Sequence, residues 1–272
     1  MKQPTISILL SLLLGSLLGC GDPISKEKNL DILHAHHLAV VEFFTIQQMF
    51  SPLFLSSTEE DLINPLAYCS QVFQYTSADS LFMEIDFGSG CTCQDGRIRQ
   101  GKLIARRALA DSSGLQTLLI SPEQYGFIGL GGDLFQLDFI TSVSQTTPGP
   151  HSSPPKIAIY IEKAVFNNLL GTFFCKGNFL AETFTHGSDP ELQQISHQLS
   201  GTVKLKDENG GESNSYTLSP ITYLTGCSHP VAGVVRVHAD HEQEKTIDFG
   251  AGTCDKKAQV HIGLFTATVD LP

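Results

Sequence analysis

Apolar and polar positions change rhythm along this chain, from a helical period near the start to a period of two from Cys69 onward. Leu30–Phe50 carries apolar residues with turn-by-turn spacing: Leu33, Val40 and Phe44 on one line, Ala39, Phe43, Ile46 and Phe50 on another. With Asn29 as an N-cap and Ser51-Pro52 as a stop, the pattern predicts one helix over 30–51. Its apolar arc is wide, so it should pack on something rather than face water. Beyond Cys69, Met83, Ile85 and Phe87 alternate with Glu84 and Asp86, and Phe135, Leu137 and Phe139 alternate with Gln136 and Asp138. Ile157, Ile159 and Ile161 do the same, as do Val231, Val235 and Val237. One apolar and one polar face per strand predicts antiparallel sheet with a packed side. Asp207–Gly211 reads as a hairpin turn on its Asn-Gly signal, and the parity change at Gly263 as a turn or bulge. The expected fold is all-β: an antiparallel β-sandwich-like domain with one N-terminal helix.

Thr146–Pro155 holds four prolines in eight residues, which cannot pair as strand. We read it as a long loop inside one domain spanning 30–272, because either flank alone would have a thin core. Residues 20–29 are polar and read as a tether.

The extreme N-terminus changes this picture. Lys2 precedes an apolar run, Ile6–Leu18, that is too short for a membrane span and fits a secretory signal over residues 1–19. It ends Leu17-Leu18-Gly19-Cys20, which resembles the lipobox of bacterial lipoprotein signals. That resemblance implies cleavage before Cys20, lipidation of its thiol, and attachment to a membrane through the acyl chains. Gly21, where an Asp would retain a lipoprotein in the inner membrane, leans towards the outer membrane, with the protein facing the periplasm or the surface. The chain has a net charge of −11, which becomes −12 once Lys2 is removed. An acidic balance makes nucleic acid an unsuitable partner.

Seven cysteines are present; with Cys20 spent on lipid, Cys69, Cys91, Cys93, Cys175, Cys227 and Cys254 form an even set in an exported chain. Ile85-Asp86-Phe87-Gly88-Ser89-Gly90-Cys91 recurs as Ile247-Asp248-Phe249-Gly250-Ala251-Gly252-Thr253-Cys254, each copy behind a further cysteine. This is a duplicated supersecondary unit, in which Phe87 and Phe249 point inward, Asp86 and Asp248 outward, and Gly88 and Gly250 turn the chain. The repeat predicts Cys227 with Cys254 and Cys69 with Cys91 or Cys93, leaving Cys175 to the remaining one. Together with Gly96-Arg97-Ile98-Arg99-Gln100-Gly101-Lys102-Leu103 and the later Asp255 and Ala258, the motifs resemble a family of uncharacterised, exported β-rich lipoproteins of Gram-negative bacteria. The resemblance covers about a third of the chain and implies localisation and architecture but no activity.

Candidate chemistry is sparse. Asp-Phe-Gly is no kinase signature without a Gly-rich loop, a strand Lys and an H-R-D loop. The His34–His37 and His238–His241 clusters lack H-E-x-x-H spacing, so no metal and no cofactor is expected. Arg97, Arg99, Lys102, Arg106 and Arg107 crowd into one predicted strand. They form either a cationic stripe for an envelope protein or glycan, or the solvated face of an edge strand, and the second is the preferred reading. The expected role is a structural or binding component of the outer membrane rather than an enzyme. A hydrolase would need a deep pocket with two carboxylates about 5–10 Å apart, and a carrier of apolar ligands would need an apolar cavity.

Overall fold

The computed structural model describes residues 23–51, 53, 69–108, 115–128, 134–146, 156–168, 171–186, 194–227, 229–240 and 242–271. Cys20, residues 147–155 of the Pro-rich segment, and the side chain of His34 lie outside what is described. One helix, α1 (Pro23–Phe50), precedes the strands. It starts inside the stretch expected to be a tether, because proline fits the first turn of a helix and Ser25–Lys28 contains no helix breaker. The strands are β1 (Gln71–Ser77), β2 (Ser80–Asp86), β3 (Cys91–Thr92), β4 (Ile98–Ala108), β5 (Leu115–Ile128), β6 (Leu134–Thr146) and β7 (Lys156–Asn168). They continue with β8 (Gly171–His186), β9 (Gln194–Asp207), β10 (Glu212–Leu224), β11 (Ala232–Ala239), β12 (Lys245–Ala251), β13 (Lys257–Ile262) and β14 (Phe265–Asp270). Among the described residues the fold is the expected all-β antiparallel one with an N-terminal helix.

Among the described residues all 14 strands belong to one open sheet, and apart from the short β3, which pairs with β4, each strand lies beside its neighbours in sequence. The period-two pattern fixes the buried face. Met83, Ile85, Leu137, Phe139, Ile159 and Ile161 are all under 4% exposed, while Asp138 and Tyr160 between them face solvent. Asp207 closes the β9–β10 turn by accepting the Asn209 and Gly211 N–H groups at 2.8 Å each, and Gly263 lies in the β13–β14 turn.

Helix α1 is what the sheet packs around. Every residue from His36 to Gln47 is buried, so the helix has no solvent face over more than three turns. Glu42 reaches Arg99 on β4, Phe43 meets Phe139 of β6 and Phe166 of β7, Phe44 stacks on Tyr223 of β10, and His37 meets Phe249 of β12. In a flat sheet β4 and β12 would be roughly 38 Å apart, at about 4.8 Å per strand. One helix touches both only because the sheet curls around it, and its inner face supplies the opposing layers of the core.

Candidate functional site

The site is built on the turn between β3 and β4. Cys93 N–H donates to the Arg97 carbonyl at 2.8 Å, Gly96 N–H to the Cys93 carbonyl at 2.9 Å, and Gly96 takes a φ of +81°. This tight turn sends Arg97 and Arg99 to the inner face, where Arg99 is 0% exposed. Arg99 donates to both Glu42 oxygens at 3.1 Å, to the Tyr125 hydroxyl at 3.1 Å, and to Asp95 at 2.8 and 2.7 Å. Tyr125 in turn donates to Glu42. Burial alone would pull the Arg99 guanidinium down, but Glu42 and Asp95 outweigh it and hold it well above its usual value. Burial works in the opposite sense on Asp95, and Arg99 and Arg97 overcome it to hold its carboxyl below the ordinary range. A buried cation between two carboxylates is charged, bidentate and rigid.

Beside this network a cavity of about 590 Å³ opens between α1 and the sheet. Val41, Phe44 and Thr45 of α1 form one wall, and Tyr223, Leu224 and His197 the other. The Gln94–Arg97 turn and Thr225–Cys227 flank it. The Arg97 Nε and the Tyr223 hydroxyl are buried and have no hydrogen-bond partner among the described residues. Burial pushes the Tyr223 phenol up, while the nearby Arg97 charge acts against this, so the two share one environment. His197 is bonded through Nδ1 to the Thr183 hydroxyl at 3.0 Å, lies against Phe44, and is lowered by burial. The only carboxylate among the described lining residues is Asp95, already held by two arginines.

The five basic residues form neither the expected solvated face of an edge strand nor the alternative cationic stripe. Arg97 and Arg99 are interior, Arg107 donates to the Leu53 carbonyl, Lys102 pairs with Glu84 at 2.7 Å and Asp86 at 3.4 Å, and Arg106 donates to Ser80 at 3.0 Å. Nor is β4 an edge, since it lies between β2 and β5. Side chains alternate across a strand, so five basic residues in sequence divide between two faces.

Cys69 joins Cys91 and Cys227 joins Cys254. The expected third bridge is absent: Cys93 and Cys175 are both free and buried. Cys175 is on β8, four strands along the sheet from β4, whereas Cys93 Sγ lies 3.8 Å from Cys69 Sγ. In the repeat, Asp86 accepts the Gly88 N–H and Asp248 the Gly250 N–H, each at 2.8 Å. Phe87 and Phe249 are buried, and Gly88 and Gly250 have φ of +60° and +90°. His36 is buried on Ser213, and His238 is exposed.

Sequence reading missed Glu42, Asp95, Tyr125, His197 and Tyr223. Glu42 did carry a signal, as a lone charge inside Val40-Val41-Glu42-Phe43-Phe44. Tyr125 carried none, because a bulge turns it inward: Leu118 and Ile120 face the core at even positions, Tyr125 and Phe127 at odd ones. Gln124 sits at the bulge with φ +51°, and a Cβ on the opposing Gly101 would lie 2.2 Å from the Gln124 carbonyl oxygen. Only glycine fits there.

A scan against protein-family models finds no match, and no curated protein or solved structure matches the chain.

Proposed function

We propose that this chain is an exported, lipid-anchored component of the bacterial outer membrane that binds an apolar ligand in the cavity between α1 and the sheet. The observation that carries the reading is the cavity itself. Its volume of about 590 Å³ falls within the roughly 300–1,000 Å³ of small-molecule sites, and mainly apolar walls with a few polar groups are typical of them. A hydrolase of the two-carboxylate kind finds no support in this cavity, since Asp95 is its one described acid and is neutralised by Arg97 and Arg99. The anchor reading rests on Leu17–Cys20, and the outer-membrane reading on Gly21.

The test is binding of the neutral fluorophore Nile red by the complete mature chain carrying Cys20→Ala. Saturable binding that Thr45→Phe abolishes, without a loss of thermal stability, supports the reading. No saturable binding, or binding indifferent to Thr45→Phe, overturns it. For the anchor, Cys20→Ser should leave an uncut precursor, seen as a larger chain, or release the protein into the soluble fraction, and a chain cut before residue 20 with unchanged detergent partitioning would refute it.

A further inference from the structure

We infer that the ligand is a long-chain carboxylate, its acid head held by Arg97 and Tyr223 and its chain lying along Val41, Phe44 and Leu224. This rests on the reading that the cavity takes a ligand, and adds the chemistry of its head group.

The argument begins with how the network divides its charges. Arg99 is served by Glu42 and takes both oxygens of Asp95 at 2.8 and 2.7 Å. Arg97 has the weaker share of that carboxylate, one Nη1 contact at 3.2 Å. Its side chain is nevertheless only 2% exposed, and its Nε is unpartnered. A buried charged donor left unmet is costly, more so than a neutral one. The Tyr223 hydroxyl is a second unmet buried donor, on a residue that lines the same cavity.

Two donors without acceptors, one cationic, call for a ligand with two acceptor oxygens and a negative charge. A carboxylate supplies both in the geometry guanidinium groups favour. A neutral apolar ligand would leave both donors unmet, and a cationic head would face Arg97 directly. A doubly charged head suits the site less well, since His197 is lowered by burial and provides no second cation at neutral pH. The phenol that burial keeps protonated remains a donor beside the bound acid. The rest of the wall is apolar and suits the chain.

The experiment is Nile red displacement from the complete mature chain carrying Cys20→Ala, with hexadecanoic acid and its methyl ester as competitors. The two share a chain and differ in the charge of the head. The acid should displace the probe at a concentration lower by about tenfold or more, the range expected of a charge-assisted hydrogen bond. In Arg97→Met that preference should fall to near one. Because Arg97→Met also removes a partner of Asp95, Tyr223→Phe serves as the second variant: it deletes an unpartnered hydroxyl, so it should weaken acid binding severalfold while unfolding at the same or a higher temperature. Equal displacement by acid and ester, or a preference that survives both variants, overturns the inference while the cavity reading stands. Failure of the unmodified chain to bind Nile red removes both.

Discussion

The two Asp-Phe-Gly units close their turns with the same atoms and then meet helix α1 with different chemistry. In both, the Asp side chain accepts the glycine N–H two residues on at 2.8 Å, the Phe is buried, and a disulfide ties the motif to an earlier cysteine. The first unit runs into β4 and locks on the helix through Arg99 and Glu42. The second supplies Phe249 against His37 and Lys245 beside the neutral His36, while residues 252–257 after it are exposed. The cavity lies between them, flanked by the Gln94–Arg97 turn of one and by Cys227 of the other. The shared part of the repeat is a scaffold, and the chemistry sits in what differs, Cys93–Lys102.

The largest effect should come from breaking the first unit's lock. Glu42→Gln or Arg99→Met leaves a buried charge short of its partner and should cost about 3–5 kcal/mol in urea unfolding. The double variant Glu42→Leu/Arg99→Met should cost less than either single change, because both charges leave together. A double variant at least as costly as the singles combined would show that the pair does not act as a unit.

The disulfides should separate the units next. Cys227→Ser opens a bridge of sequence separation 27 and should cost about 3.5 kcal/mol on the chain-entropy account. Cys91→Ser should cost clearly less, because Cys93 Sγ is already 3.8 Å from Cys69 Sγ and can close the alternative bridge. Non-reducing peptide maps of that variant should contain Cys69 joined to Cys93, and a free Cys69 there would refute the substitution.

Acid should loosen the second unit's contact before the first. Burial, aided by Lys245, lowers His36 from 6.5 to about 3. The unfolded chain therefore binds this proton more readily, and stability falls as pH drops below 6.5. The loss from His36 should reach about 2 kcal/mol at pH 5, with His197 acting in the same direction. Asp95 is also lowered and acts in the same direction, but its contribution is present above the ordinary 3.8 and is lost only as pH falls below it. His36→Gln should flatten the slope between pH 6.5 and 4.5, and an unchanged slope would place the titration elsewhere. The smallest effect is in the shared turns: Asp86→Asn and Asp248→Asn should each cost about 1 kcal/mol, with any excess at Asp86 measuring its contact with Lys102.

By itself the sequence determined what local periodicity and local turns encode. The strand faces around Met83, Phe139 and Ile159, the helix through Phe50, the Asp207–Gly211 hairpin and the doubled Asp-Phe-Gly turn are all set by neighbours a few residues apart. Parity even recorded that Arg97, Arg99 and Arg107 share a face with Leu103 and Ala105, although outward-facing Ile98 and Ile104 obscured which face was the core. Tertiary structure decided the rest. Only the curl of the sheet around α1 brings Glu42 to Arg99 across 57 residues, and only the bulge at Gln124 aims Tyr125 at them. Arg97, His197 and Tyr223 line one cavity because the turn into β4 and strands β9 and β10 meet the same helix. Alternation tells which residues share a face, whereas the closing of that face around a helix determines which of them meet.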